Sequence, residues 1–158
     1  MIIPTNNQFR AEINEYVRKD WSGPKIVSKG VVHDTSTLEA FISIDENQEV
    51  TGYIFYHIHE KKCEVIVLQS LVEAQGIGTA LVNAVVEAAK AAGCLSVWLI
   101  TTNDNIHALD FYQKRGFELT AVHFDAVAEA RKLKPSIPLL SEKGIPIKHE
   151  FELSLKIG

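Results

Sequence analysis

The sequence predicts a single α/β domain over residues 1–158, with a mixed, mostly antiparallel sheet of six or seven strands flanked by helices. Three observations support this fold. The chain has 158 residues, within the roughly 100–200 residues of one domain. Three alternating apolar runs between residues 38 and 72 follow one another at hairpin spacing, which indicates an antiparallel meander. From residue 76 onward, runs with helical periodicity alternate with single strand-like runs.

The first half of the chain is predicted to form one helix and three strands. Apolar side chains recur at helical spacing over residues 8–19 and predict an amphipathic helix, which Gly23-Pro24 ends. Residues in the three following runs alternate between apolar and polar or are rich in β-branched and aromatic side chains, with charged segments between them. The predicted strands cover residues 38–45, 50–59 and 64–72.

The second half is predicted to alternate helices and strands. A helix over residues 76–92 ends at Gly93, a residue type that favours helix C-termini. Residues 94–101 are continuously apolar, as in a strand covered on both faces. Asn103-Asp104-Asn105 supplies N-cap chemistry for a helix that runs to residue 115. The remaining predictions are a strand over 117–124, a helix over 125–134, an ordered proline-rich loop over 134–146 and a half-buried strand over 150–157.

Composition and charge exclude several classes of partner. The net charge is −4 and no basic block occurs, so we expect no nucleic-acid partner. No apolar run reaches the ~18 residues of a membrane span, and the first residues lack a signal-peptide pattern. Two cysteines without framework spacing suit a reducing compartment, so we expect a cytoplasmic protein. His57 and His59 have a spacing that suits metal binding but lack a third ligand, so no metal is predicted.

A glycine-rich turn between a predicted strand and a predicted helix is the strongest local motif. In Gln75-Gly76-Ile77-Gly78-Thr79, unpaired N–H groups and the helix dipole favour a bound phosphate, although glycine at such a junction can equally serve packing. A Walker loop would need a lysine directly after the second glycine, where Thr79 stands. A Rossmann turn would need Gly or Ala where Leu81 stands. Both nucleotide loops are therefore disfavoured.

A second motif lies downstream, in Asn105, Ala108, Phe111-Tyr112 and Gly116-Phe117. Together with the glycine turn, these residues resemble the two CoA motifs of the GNAT superfamily of acyl-CoA-dependent N-acetyltransferases. The motifs occur in the family's order and at its usual separation, and they cover about the middle third of the chain. Residues 98–105 and the Lys-Pro-x-Ile-Pro segment that starts at residue 134 also resemble a bacterial branch of the family whose substrates are uncharacterised.

The resemblance implies transfer of an acetyl group from acetyl-CoA to a primary amine by direct attack in a ternary complex. The N–H groups of five successive residues would hold the pyrophosphate: Gln75, Gly76, Ile77, Gly78 and Thr79. Leu71 and Val72 would lie along the pantetheine arm, with a main-chain N–H near Leu71 on the thioester oxygen. Asn105 would bind the arm. Tyr112 would protonate the CoA thiolate, since a phenol of pKa about 10 can donate to a thiolate of about 8–9.

The resemblance leaves the base and the acceptor open. Glu64 lies where some family members place a glutamate base, and His149, Glu150 or water are the alternatives. Glu73 stands where the family commonly has Arg or Gln, an acid beside a phosphate. This substitution leaves a second hypothesis, a non-catalytic acyl-CoA-binding sensor. The acceptor is expected to be a small-molecule or peptide amine, and a homodimer is compatible with the resemblance.

Overall fold

Nine strands and four α-helices make up the part of the chain described by the computed structural model, residues 1–73 and 75–158. In chain order they are β1 (Ile2–Pro4), α1 (Asn7–Asp20), β2 (Lys25–Ser28), β3 (Val31–Asp34), β4 (Glu39–Ile44), β5 (Val50–His59), β6 (Lys62–Ser70), α2 (Ile77–Ala91), β7 (Ser96–Thr102), α3 (Ile106–Lys114), β8 (Glu118–His123), α4 (Ala126–Leu133) and β9 (Glu150–Lys156).

Seven of these strands form one sheet, in the order β1-β4-β5-β6-β7-β9-β8. Neighbouring strands are antiparallel except β6 and β7, which are parallel. The predicted mixed, mostly antiparallel sheet is therefore confirmed. α2 forms the crossover between the two parallel strands, because parallel neighbours cannot be joined by a tight turn.

The sheet opens between its two parallel strands. Their pairing covers only residues 62–65 of β6 and 96–99 of β7. Immediately afterwards the register between β5 and β6 shifts: Val65 pairs with Tyr56 and Val67 with Phe55, which leaves Ile66 as the extra residue of a β-bulge. Because a bulge bends the strand that carries it, the rest of β6 diverges from β7. The result is a gap in the middle of the sheet.

Helices on both faces keep the sheet in place around the gap. α2 buries Leu81 and Val85 completely on one face, and α1 buries Ile13 and Val17 completely on the other. Each such side chain contributes about 1.5–3 kcal/mol through the removal of apolar surface from water. The hydrophobic cores thus lie beside the gap rather than in it. None of the helices among the described residues is long and apolar enough to cross a membrane.

The sequence prediction missed β1 and the hairpin of β2 and β3, since it placed only a loop between the first helix and residue 38. Both hairpin strands have four residues, too few for a clear alternation. Lys29 and Gly30 form the turn with φ of 47° and 76°, the two positive values of a type I′ turn. The sequence signal for this hairpin was Lys29-Gly30, a residue followed by glycine between two short runs that contain β-branched side chains.

The proline-rich loop after α4 is ordered, as predicted. Leu140 and Pro146 form a β-bridge across it. Arg131 donates to the carbonyls of Ile137, Pro138 and Ile147, at 3.2, 2.8 and 2.6 Å. One guanidinium therefore holds three points of the loop.

Candidate active site

A cleft of about 900 Å³ occupies the gap between β6 and β7. It has two walls. The first, which we call the glycine wall, comprises residues 75–79 at the start of α2 together with Phe111, Tyr112 and Arg115 of α3 and its end. The second, the hairpin wall, comprises Ile26 and Val27 of β2 and Glu150 of β9.

The two glycines of the turn have different roles. Gly76 is the N-cap of α2 and has φ of 68°, and a Cβ there would meet nothing within 4 Å. A Cβ on Gly78 would lie 3.2 Å from the Phe111 ring, so this glycine serves close packing of α2 on α3. The first-turn N–H groups of α2 have no partner within the helix, and no acidic side chain stands in that turn. An anion can therefore be held there by main-chain groups.

Arg115 adds a positive charge to the same wall, and the sequence analysis missed it. Its Nε donates to Thr79 Oγ1 at 2.8 Å and its Nη1 to the Phe111 carbonyl at 2.9 Å. The guanidinium lies 3.9 Å above the centre of the Phe111 ring. A cation from the end of α3 is thus fixed beside the start of α2, on the cleft that Glu73 also lines. The only signal in the sequence was a basic residue at a helix end.

The edge of β6 that faces the gap offers main-chain groups, but not at Leu71. The Leu71 N–H donates to the Thr51 carbonyl of the neighbouring chain segment at 2.9 Å, and its side chain packs on the α1 side. Because N–H directions alternate along a strand, the N–H groups of Leu68 and Ser70 face the gap instead. Val72 lines the cleft, as do Leu68 and Ser70.

Asn105 and Asn103 have separate tasks. Asn105 is the N-cap of α3, where its Oδ1 accepts from the Ala108 N–H at 3.1 Å, and it also lines the cleft. Asn103 donates to the Pro146 carbonyl at 2.9 Å and accepts the N–H groups of Lys148 and His149. The first asparagine therefore shapes the cleft, and the second fixes the end of the proline-rich loop.

Tyr112 lies on the glycine wall and is 6% exposed. Its ring packs edge-on against Phe111 and Phe117, with ring centres 5.1 and 5.3 Å away. Burial raises the pKa of its phenol well above the ordinary value of 10, so the group is protonated at neutral pH. A neutral, buried phenol beside a cleft can act as a proton donor.

Glu64 lies beneath the hairpin and not on the cleft surface. It is 5% exposed, its Oε2 accepts from Ser28 Oγ at 2.5 Å, and its Oε1 lies 3.5 Å from His33 Nε2. Burial raises the pKa of this carboxyl to about 7, an effect that the Ser28 hydrogen bond only partly opposes. A carboxyl of this pKa is suited to accept a proton at neutral pH.

Glu150, unlike Glu64, lines the cleft. It is 4% exposed, pairs with Thr102 on one side and His123 on the other, and has its pKa raised by burial. On the same face of β9, Glu152 binds Lys29 Nζ and His123 Nε2, each at 3.0 Å. The structure therefore places Glu64, Glu150 and Glu152 on one face of the sheet, near the hairpin turn.

His149 is poorly placed as a base. Its Nδ1 accepts the Asp125 N–H at 2.9 Å, and its ring packs edge-on against Phe124. A neutral ring with Nδ1 as acceptor carries its proton on Nε2, so no ring nitrogen is available to accept another. Across the described residues, no group of three or more His, Cys, Asp or Glu side chains is arranged to hold a metal ion.

Comparison with known proteins gives the family. Residues 7–117 match the model of the acetyltransferase (GNAT) family, which is well over half of the chain. The chain belongs to this family. The uncharacterised protein YdhI of Bacillus subtilis (strain 168) is 42% identical over 154 residues, which are 98% of this chain and 96% of YdhI. The uncharacterised protein YxbD of the same strain is 40% identical over 96% of both chains.

A solved acetyltransferase structure shares the fold. The crystal structure of a Bacillus subtilis acetyltransferase in complex with CoA matches this chain with a TM-score of 0.68, and 99% of this chain and 98% of the other are covered. The identity is 20%, so the likeness concerns the fold. The resemblance found in the sequence is therefore confirmed at the level of family and architecture.

Proposed function

We propose that this GNAT protein transfers an acetyl group from acetyl-CoA to a primary amine of a small molecule or peptide, by direct attack in a ternary complex. The observation that carries the proposal is the gap between β6 and β7. It has unpaired N–H groups and a neutral phenol on one wall, and buried carboxyls on the other side. The complex of a structural neighbour with CoA supports the choice of donor.

The glycine wall fits the phosphates of CoA. The N–H groups at the start of α2 meet the pyrophosphate, and Arg115 supplies the positive charge that Glu73 does not. The pantetheine arm then runs along the free edge of β6, beside Val72 and Asn105. The Ser70 or Leu68 N–H, rather than that of Leu71, donates to the thioester oxygen and stabilises the charge that develops on it.

The transfer needs a group that accepts a proton and one that donates a proton. The acceptor ammonium loses one proton, and its nitrogen attacks the thioester carbon. As the C–S bond breaks and CoA leaves as a thiol, the nitrogen loses a second proton, which restores the phenol that has protonated the sulfur. Tyr112 donates to the departing sulfur, and burial keeps this phenol protonated until then. Glu64 takes the proton of the amine through a water molecule, because it lies behind the cleft surface. Glu150, on the surface of the cleft, binds the incoming ammonium.

The test is release of CoA thiol from acetyl-CoA in the presence of benzylamine, putrescine or a hexapeptide with a free α-amino group. We expect at least one amine to give kcat/KM near the usual ~10⁴ M⁻¹s⁻¹, with the acetylated amine detected by mass. If acetyl-CoA binds but no amine is acetylated, the protein is instead an acyl-CoA-binding sensor. If acetyl-CoA does not bind, both functions are excluded.

A further inference from the structure

A base that is enclosed must lose its proton after every turnover. Only 7% of the Glu64 side chain is exposed, and the groups that face it come from five strands and the hairpin turn. These groups are Ser28 of β2, Lys29 of the hairpin turn, His33 of β3, His57 of β5, Trp98 of β7, and Glu150 and Glu152 of β9. The released proton must therefore pass through one of these groups or leave through the cleft, which the substrates fill.

The imidazole of His33 lies next to Glu64, and His33 is not among the residues that line the cleft. His33 Nε2 lies 3.5 Å from Glu64 Oε1, and the His33 side chain is 10% exposed. This distance is too long for a well-formed hydrogen bond, and catalytic contacts that are long in the absence of substrates often shorten in the complex. Burial and the neighbouring His57 lower the pKa of His33, so its ring is neutral at pH 7 and has a nitrogen free to accept a proton.

Further histidines continue from His33 to the solvent. The ring of His57 lies 5.6 Å from that of His33, centre to centre, and His57 is exposed. His57 in turn stacks on His59 at 6.3 Å, and the side chain of His59 is 75% exposed. Exposure therefore increases from the carboxyl outwards along a line of imidazoles.

The other groups around Glu64 do not offer such a route. Ser28 and Trp98 do not take up protons near neutral pH, and Lys29 carries an ammonium that is bound to Glu152 and lies over the Trp98 ring. Glu150 and Glu152 lie on the side of the cleft and of β9. The proton of Glu64 thus has an exit at His33 that does not cross the acceptor site.

We propose that His33 is a proton-relay residue, which takes the proton of Glu64 after each turnover and passes it by way of His57 to solvent. In this step a proton moves from Glu64 Oε1 to one nitrogen of the His33 ring, and a proton leaves to His57 or water, so that both groups return to their starting state. His33 acts through Glu64 and is a positioning residue rather than a catalytic one. The inference rests on the proposed function.

The experiment compares the wild type with His33→Gln in dilute buffer, with acetyl-CoA and the best amine of the panel above. We expect kcat to fall about tenfold, part of the 10²–10⁴-fold that acid–base catalysis supplies, with KM and the melting temperature unchanged. Added imidazole should restore kcat of His33→Gln and leave the wild type unaffected. His57→Gln should show the same dependence more weakly, and Glu12→Gln, an exposed change on α1 outside the line of imidazoles, is the control without effect.

Two results would overturn the relay but not the proposed function. In the first, the wild type is active and His33→Gln has the same kcat. In the second, His33→Gln has a lowered kcat that imidazole does not restore. A fall in the melting temperature together with an unrestored kcat would show that His33 only holds the hairpin. If the wild type acetylates no amine, the proposed function fails and the relay fails with it.

Discussion

The two walls of the cleft are built in different ways. The glycine wall comes from one segment, residues 75–115, and uses mainly main-chain groups and a turn. The hairpin wall and the buried groups behind it depend on side chains that are far apart in sequence: Ser28 and His33 from the hairpin, Glu64 from β6 and Glu150 from β9. A ligand site made of main-chain N–H groups tolerates substitution of the side chains around it. A site made of side chains depends on the identity of each residue. We therefore expect the donor site to be general and the acceptor side to be particular to this chain.

Tyr112, on the glycine wall, should give the largest effect. Tyr112→Phe keeps the ring that packs on Phe111 and Phe117 but removes the proton donor. We expect kcat to fall roughly 10²-fold, while the Kd for acetyl-CoA and the melting temperature stay nearly constant. Steady-state kinetics and a binding titration check this. An unchanged kcat would remove Tyr112 from the mechanism.

Glu64→Gln tests the hairpin side by its pH dependence. Activity of the wild type should rise as Glu64 loses its proton, with an apparent pKa near 7. In Glu64→Gln this rise should be absent and kcat should be about 10- to 100-fold lower at pH 8. The pH profile of kcat/KM for both proteins decides this. A rise that persists in the variant would assign the base to another group, with Glu150 the first to test.

Glu64→Gln should also change how stability depends on pH. In the wild type, stability should fall over the pH range in which activity rises. Because burial raises the pKa of Glu64 from 4.5 to about 7, the folded state holds a proton that the unfolded state releases in this interval. Its contribution to stability is therefore full below pH 4.5 and is lost as the pH rises to about 7, by about 3 kcal/mol. Glu64→Gln should flatten this decline in urea unfolding between pH 5 and 8. An identical decline in both proteins would contradict the assignment.

Arg115 on the glycine wall and Glu73 on the same cleft allow two matched tests of opposite charge. Arg115→Gln removes the cation beside the start of α2 and should weaken binding of CoA about tenfold, the value of one charge-assisted hydrogen bond. Glu73→Gln removes the acid and should tighten binding about threefold, since an exposed charge is largely screened. Titration calorimetry with CoA measures both. Equal Kd values in the two variants would place the phosphates elsewhere.

The two glycines should give the smallest effects and separate conformation from packing. Gly78→Ala places a methyl group 3.2 Å from the Phe111 ring, so α3 must shift and the KM for acetyl-CoA should rise severalfold. Gly76→Ala meets no neighbour but strains a residue with φ of 68°, at a cost of about 1–2 kcal/mol in stability. Kinetics and thermal unfolding should therefore rank the two variants in opposite orders, and the same order in both would contradict this division.

What could be predicted from the sequence follows the same division. Long periodic runs gave the strands and helices around the cleft, and contiguous motifs gave residues 75–79, Asn105 and Tyr112 on its surface. The hairpin of β2 and β3 was missed because each strand has only four residues. Its contact with Glu64 joins residues 36 apart, and nothing in the local pattern indicates a contact at that separation. Arg115 was missed because its partner Thr79 is equally distant along the chain.

The most direct test of the central claim, that the gap between β6 and β7 binds acetyl-CoA, is thermal unfolding with acetyl-CoA, CoA or ATP. At 100 times its Kd a ligand adds about 2.7 kcal/mol, which raises the melting temperature of a chain this size by about 5–10 °C. We predict this rise with acetyl-CoA and CoA, a smaller one in Arg115→Gln at the same concentrations, and none with ATP. No rise with either CoA species would contradict the account.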